Sequence, residues 1–288
     1  MKKVTVIVRT FNVAWVLDQA LLSLSKQRDV DIDLMIVDSG STDETLQMIT
    51  HYPHRFLEVE PGTYFPGKVL NNAVSKATTN LIVFINSDVV LLDPYAIKKL
   101  IEPLESAEVA ATFGRQIVRP EADLLVKHDY DRAFPSKNKQ PDWMHYSLPI
   151  AAMKKDIWEK LPFYIDAWGS EDTHWGVKVK KMGYKVVYVP EAIAMHSHNY
   201  TFKQLASRRR IEGEADVYIY PEQKLSISSF FKSFIGSFLR EGFYYIKHKN
   251  ILGLPYLLIN RFVYAWHYYK GFKHAKSNYK TITFGNYQ

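Results

Sequence analysis

Ile36-Val37-Asp38-Ser39-Gly40-Ser41-Thr42-Asp43-Glu44-Thr45 changes character partway along, and the change sets the architecture. The apolar run Ile32 to Val37 that leads into it barely alternates, as expected of a strand buried on both faces. Asp38 to Asp43 is polar turn chemistry. Ser41 with Glu44 three residues on has the form of a capping box, which predicts a helix over Thr42 to Thr50 with Leu46 and Ile49 at helical spacing. A strand, a tight turn and a helix in immediate succession make the first half of a β-α-β unit.

The same alternation extends outward in both directions. Val4 to Val8, Leu81 to Ile85 and Val109 to Phe113 also read as buried strands, and Trp15 to Lys26 carries Leu17, Ala20, Leu21 and Leu24 at helical spacing. Repeated units of this kind predict an α/β fold with a doubly wound, mainly parallel sheet, right-handed crossovers and ligands beyond the carboxyl ends of the strands. No internal repeat of fixed period occurs. Pro120 to Trp143 is irregular and polar and reads as an excursion, because Leu148 to Met153 resumes apolar character. Ile157 to Lys160 and Glu171 to Met182 read as helices, Tyr184 to Val189 and Ala192 to His196 as two closing strands, and Thr201 to Ala215 as an Arg-rich helix.

With 288 residues, 47% hydrophobic and 23% charged, the chain is neither disordered nor collagen-like. It has no Cys, which excludes a disulfide framework, a thiolate zinc site and a cysteine nucleophile. Met1-Lys2-Lys3 precedes an apolar run broken at Arg9, too short for a signal peptide, so the cytoplasm is the expected compartment. The net charge of +7 is unevenly spread: from Pro221 onward ten Lys and Arg face two acids, which leaves the preceding residues nearly neutral. The expected division is a catalytic domain over residues 1–216 and a basic, aromatic, helical segment over residues 217–288.

In that segment Ile227, Phe230, Phe231, Phe234, Ile235, Phe238 and Leu239 form one apolar helical stripe, and a second helix is expected to begin near Pro255 and to run through Leu258, Phe262, Trp266 and Tyr269. Its longest uncharged stretch, Ile251 to Asn260, is far short of the roughly 20 residues that span a membrane. Two readings stay open: the stripes pack on the catalytic domain or on a second copy of the chain, or they lie in a membrane interface near a lipid-linked acceptor, on the inner face of the cell membrane. No nucleic-acid partner is expected.

Three acidic sites fall where strands end or a helix begins: Asp38 to Asp43, Asn86-Ser87-Asp88, and Glu171-Asp172. Each alone is explained by local capping or turn formation. Their convergence on one sheet edge, with His196-Ser197-His198-Asn199 nearby in the predicted topology, points to chemistry instead.

Val6-Ile7-Val8-Arg9-Thr10-Phe11-Asn12, the stretch from Ile36 to Thr45, Asn86-Ser87-Asp88 and Trp168-Gly169-Ser170-Glu171-Asp172 occur in the order found in family 2 glycosyltransferases, and the chain resembles that family over residues 3–215. Phe113-Gly114-Arg115-Gln116 and His196 to Thr201 resemble bacterial rhamnosyltransferase-type members. The resemblance implies a GT-A fold and a metal-dependent, inverting transfer from a nucleotide diphosphate sugar to a saccharide or lipid-linked acceptor in surface polysaccharide assembly.

A diphosphate leaving group calls for a divalent cation on hard ligands, Mn²⁺ or Mg²⁺. By resemblance Asp88 is its ligand; Asn86 stands where the family often has a second aspartate, and His196 matches the late metal-binding histidine, with His198 as its rival. Asp38 is implied to read the base, with Thr10, Phe11 and Asn12 as the opposite wall; a carboxylate that accepts an imide N–H favours UDP or dTDP sugars. Lys68, Asn71 and Ser87 are assigned to the nucleotide-sugar side, Glu171 to orienting its loop and Trp168 to stacking on a sugar ring. Asp172 is the general base for the acceptor hydroxyl. At least two of Arg208, Arg209 and Arg210 are expected on a solvated helix face. The rivals are a catalytically silent nucleotide-sugar-binding scaffold and a sugar nucleotidyltransferase, although Arg9 to Asn12 lacks the Gly-rich loop the latter would show.

Overall fold

The computed structural model describes residues 1–137 and 140–278. Along the chain the elements are β1 (Lys2–Thr10), α1 (Ala14–Ser25), β2 (Val30–Asp38), α2 (Thr45–Ile49), β3 (Arg55–Glu58), α3 (Pro66–Ser75), β4 (Leu81–Asn86), β5 (Val90–Leu91), α4 (Ala96–Ile101), β6 (Val109–Ile117), α5 (Leu124–Ala133), β7 (Ile150–Lys154), α6 (Lys155–Lys160), α7 (Glu171–Lys181), β8 (Lys185–Met195), α8 (Phe202–Ile219), α9 (Ile227–Lys247) and α10 (Leu254–Asn278). They divide into two compact units. The first takes in residues 1–120, 130–165 and 171–197, and the second residues 121–129, 166–170 and the chain from His198 onward.

The first unit is built on one sheet of order β3-β2-β1-β4-β7-β6-β8-β5. β3, β2, β1 and β4 are mutually parallel, β6 runs parallel to β8, and β7 and β5 are antiparallel to their neighbours. The expectation of a mainly parallel α/β sheet followed by long helices is met. Val4, Val6 and Val8 pack with Leu17, Leu21, Ile97 and Leu100 on one face, while Ile7, Met35, Phe84 and Phe113 pack with Leu70, Val74, Trp175 and Val179 on the other. Both faces are dry, which is why the strands read as continuous apolar runs.

Several local expectations are corrected. Ser41 does not cap α2, which begins at Thr45 with no side-chain cap. Its hydroxyl instead donates to Asp38 Oδ2 at 2.6 Å and accepts the Asn12 N–H at 2.9 Å. Tyr184 to Val189 and Ala192 to His196 are not two strands but the single β8, whose pairing with β6 slips between Gly114 and Arg115. The polar excursion holds a helix, α5, and β3, α3 and α4 were not anticipated.

The second unit is helical. α8 opens on a capping box between Thr201 and Gln204, and α9 on one between Ser226 and Ser229. α8 and α10 approach closely at two glycines: a Cβ on Gly213 would lie 2.2 Å from the Tyr268 carbonyl oxygen, and one on Gly271 2.0 Å from that of Arg210. Arg261 is buried at the centre of the unit. Its Nη2 donates to both oxygens of Asp129 at 2.8 Å, and its Nε donates to Glu241. Arg208 and Arg210 are solvent-facing partners of Glu212 and Glu214, whereas Arg209 is packed over the rings of Tyr264 and Tyr268.

The stripe on α9 divides in two. Phe230 and Phe234 meet Phe262, and Phe230 also meets Trp266, while Ile227, Phe231, Ile235 and Leu239 are exposed and Phe243 and Ile246 continue their row. Among the described residues no helix is long and apolar enough to cross a membrane.

Candidate active site

Asp38 ends β2, and its buried carboxylate organises the loop that follows. Oδ1 accepts the N–H groups of Gly40 and Ser41 at 2.9 and 2.8 Å, and Oδ2 accepts the hydroxyls of Thr10 and Ser41 at 2.7 and 2.6 Å. These bonds use about all four of its lone-pair sites. Asn12 sits in the left-handed region at φ 47°, which Asn tolerates better than most residues. From there its Oδ1 accepts the N–H groups of Thr42 and Asp43. Phe11, between the two, is exposed.

Asp88 follows β4 and His196 follows β8, at the same edge of the sheet. His196 Nε2 lies 3.5 Å from Asp88 Oδ2, and both residues are buried. The other ring nitrogen, Nδ1, lies 2.8 Å from Gln116 Oε1, while Gln116 Nε2 donates to Ser147 Oγ at 2.9 Å. This arrangement places the imidazole proton on Nδ1 and the Nε2 lone pair on the side of Asp88, the state a metal requires. Two neighbouring ligands about 2.1 Å from one cation stand about 3 Å apart, so the pair fits a divalent ion. Among the described residues Asp88 and His196 belong to a group of side chains able to hold one.

Glu171 and Asp172 occupy the first turn of α7, where the helix N-terminus favours carboxylates. Burial pushes the Glu171 carboxyl above the usual range; the Arg9 guanidinium, 3.6 Å away, pulls it back, and the charge of Asp172 raises it further. Asp172 is half-buried; its Oδ2 accepts the Leu148 N–H at 3.3 Å and its Oδ1 that of Thr173 at 2.7 Å. Ser87 is buried beside Asp88 in sequence.

The remaining residues of the sequence reading are placed differently. Asn71 Oδ1 accepts from Trp158 Nε1 and the Phe163 N–H, and its Nδ2 donates to the Phe163 carbonyl, so this side chain ties α3 to the segment 158–163. Lys68 is exposed, with its ammonium 5.7 Å from the Phe65 ring centre. Trp168 belongs to the second unit and is partly exposed. The sequence reading missed Arg9, Gln116, Ser147 and Arg119. The usable signal was their place: like Asp38 and Asp88, Arg9, Gln116 and Arg119 lie at or just after the carboxyl end of a strand.

The sequence pattern of the family described as "Glycosyl transferase family 2" matches residues 5–161. The O-antigen chain rhamnosyltransferase RfbN of Salmonella typhimurium (strain LT2) is 29% identical over 212 residues, which cover 69% of this chain and 68% of the relative. WbaN of Salmonella anatum, also an O-antigen chain rhamnosyltransferase, is 26% identical over 219 residues, 71% of this chain and 69% of the relative. Among solved structures the fold is similar to a mannosyltransferase from Pyrobaculum calidifontis in complex with GDP-Man and Mn²⁺, with TM-score 0.59, 20% identity, and coverage of 95% of this chain and 75% of that one. It is also similar to TarS of S. aureus in complex with UDP-GlcNAc, with TM-score 0.56, 15% identity, and coverage of 100% and 93%.

Proposed function

The chain belongs to glycosyl transferase family 2 and is a nucleotide-sugar glycosyltransferase, and from that premise we propose that it transfers a deoxyhexose such as rhamnose, with inversion, from a UDP or dTDP sugar to a saccharide or lipid-linked acceptor during assembly of a surface polysaccharide. The observation that carries the proposal is the gathering, on one unit and one sheet edge, of the Asp88–His196 pair and the carboxylates at the start of α7. Deoxyhexosyl transfer is supported by the relatives alone. Family membership weighs against a nucleotidyltransferase, and the retention of Asp88, His196 and Asp172 weighs against a silent scaffold.

In this reading the base lies against Thr10, Phe11, Asn12 and the loop after β2. Asp38 holds that loop in shape and reads the imide N–H of the base, which takes the place of the Ser41 hydroxyl proton on Oδ2 while the loop backbone keeps its form. Asp88 and His196 hold Mn²⁺ or Mg²⁺, which when bound supplies positive charge to the departing diphosphate. Asp172 removes the acceptor proton as the hydroxyl attacks the anomeric carbon from the face opposite the diphosphate, so the anomeric centre inverts. Glu171, held by Arg9, keeps the first turn of α7 in place.

The exposed row Ile227, Phe231, Ile235, Leu239 and Phe243 on α9, with Lys232, Arg240 and Lys247 on the same helix, supports seating on an anionic membrane surface. Residues 217–288 are thus assigned to attachment and residues 1–216 to catalysis.

The test is the full chain with Mn²⁺ and a panel of UDP and dTDP sugars. A donor that binds the folded chain raises its melting temperature, and NMR of the product reads the anomeric configuration. Asp172→Asn is nearly isosteric but cannot accept the proton, so turnover should fall by about 10²-fold or more with the donor-induced thermal shift retained. Normal turnover by that variant, or activity in excess chelator, contradicts the base or the metal respectively.

A further inference from the structure

Arg119 is a cation only 6% exposed. Its backbone N–H donates to Ser197 Oγ at 3.0 Å, next to His196, and its Nη2 donates to the backbone carbonyl oxygen of Asp88 at 2.6 Å. The guanidinium lies 5.0 Å from the ring centre of Trp15, an exposed side chain on α1. Nε is buried and has no hydrogen-bond partner. Among the described residues no carboxylate stands within ion-pair distance of Arg119. A buried charge of this kind is costly unless something neutralises it.

We propose that Arg119 is a binding site for phosphate oxygens and that its ligand is the diphosphate of the donor and of the nucleotide product. The proposal rests on the sugar-transfer reading and names a residue of that site. Guanidinium suits this role, being always charged, planar, and forked to match phosphate oxygens. Its position beside the two metal-binding candidates puts it where charge develops. As the bond from the anomeric carbon to the acceptor oxygen forms, the bond to the diphosphate oxygen breaks and keeps its electron pair on that oxygen. The acceptor proton goes to Asp172, and Arg119 stabilises the departing charge by donating an N–H to a phosphate oxygen. The Nη2 bond to the Asp88 carbonyl fixes the guanidinium relative to the metal ligand, so the two positive groups are placed as one assembly.

The test uses calorimetric titration of the full chain with Mn²⁺ alone, and, in its presence, with uridine and UDP (thymidine and dTDP in parallel). Arg119→Gln should weaken UDP or dTDP by about 10- to 100-fold, as for loss of a hydrogen bond between charged groups. Nucleoside binding should change by less than about twofold and Mn²⁺ binding should be unchanged. Arg119→Lys, which keeps the charge but not the fork, should lie between and guards against a misfolded first variant. Inorganic pyrophosphate with Mn²⁺ should raise the melting temperature of the wild type and not that of Arg119→Gln. Equal losses for nucleoside and nucleotide, or unchanged nucleotide affinity, overturn the proposal, and so does a parallel loss of Mn²⁺ affinity, which would make Arg119 a support for Asp88. A wild type that binds neither UDP nor dTDP counts against the sugar-transfer reading itself and removes the premise.

Discussion

The two units bury arginine in opposite ways. In the helical unit Arg261, 3% exposed, has Asp129 and Glu241 on its guanidinium, and half-buried Arg209 has Glu212. In the α/β unit Arg119, buried almost as deeply, has a backbone carbonyl, an indole face and, among the described residues, no carboxylate. Charge neutralised inside the fold joins one element to another, here α5, α9 and α10. Charge left unneutralised beside two metal-ligand candidates is a requirement for something that arrives from solution.

The largest effect should come from breaking the neutralised side of this contrast. Arg261→Met leaves Glu241, 1% exposed, with Arg240 as its remaining arginine and takes the arginine from Asp129, and should cost about 2–4 kcal/mol in urea denaturation. Arg119→Gln removes an uncompensated charge and should cost less than about 1 kcal/mol. If the two costs come out equal, the distinction between structural and ligand-directed arginines fails.

Next is the orientation of His196. Gln116→Leu removes the acceptor from Nδ1 and should weaken Mn²⁺ binding by about 10- to 100-fold, while Gln116→Glu, which still accepts that proton, should retain it. Direct Mn²⁺ titration, monitored by the signal of the free ion, checks this without reference to turnover.

A third, smaller effect separates the units by pH. Burial holds the His174 imidazole down at about 4, with Lys178 adding to the shift. Between the unfolded value near 6.5 and about 4 the unfolded chain binds a proton that the folded chain refuses, so stability falls as pH falls through that window. After allowance for solvent screening the loss should be on the order of 1–2 kcal/mol. His174→Phe should flatten it in melting curves taken from pH 7 to pH 4.

The smallest effect on stability, within about 0.5 kcal/mol, is expected for Phe231→Ser with Leu239→Gln on the exposed row of α9. The same pair should abolish salt-resistant flotation with anionic liposomes. Point changes are preferable to a chain cut near Tyr220, because removing α10 uncovers Val217 and the glycine seam of α8.

Much of this was legible in the sequence, and the failures share a cause. Continuous apolar runs revealed strands buried on both faces, but the direction of β7 was not visible, since Leu148 to Met153 reads alike in either orientation. The α9 stripe was legible as a period; its division into a packed row and an exposed row was not, because residues four apart on adjacent rows lie within one broad apolar arc. Ser41 was misread because its partner was a carboxylate delivered by β2 and an N–H delivered by β1, and local spacing carries no trace of either. Asp88, His196 and Asp172 were found because strand ends and helix starts can be located locally. Gln116 and Arg119 were missed because their meaning depends on His196 and Asp88, 80 and 31 residues away.

The loop between β2 and α2 has a consequence for the thermodynamics of ligand capture. The amides of Gly40, Ser41, Thr42 and Asp43 are all engaged by the side chains of Asp38 and Asn12, and that of Asn12 by Ser41. Its conformational entropy is therefore lost once, during folding, rather than at each turnover. Deuterium should exchange slowly at these amides before any ligand is added, and saturation with nucleotide should change those rates little. A base that meets this wall meets a surface already in its bound shape, so contact enthalpy translates into affinity with little ordering penalty.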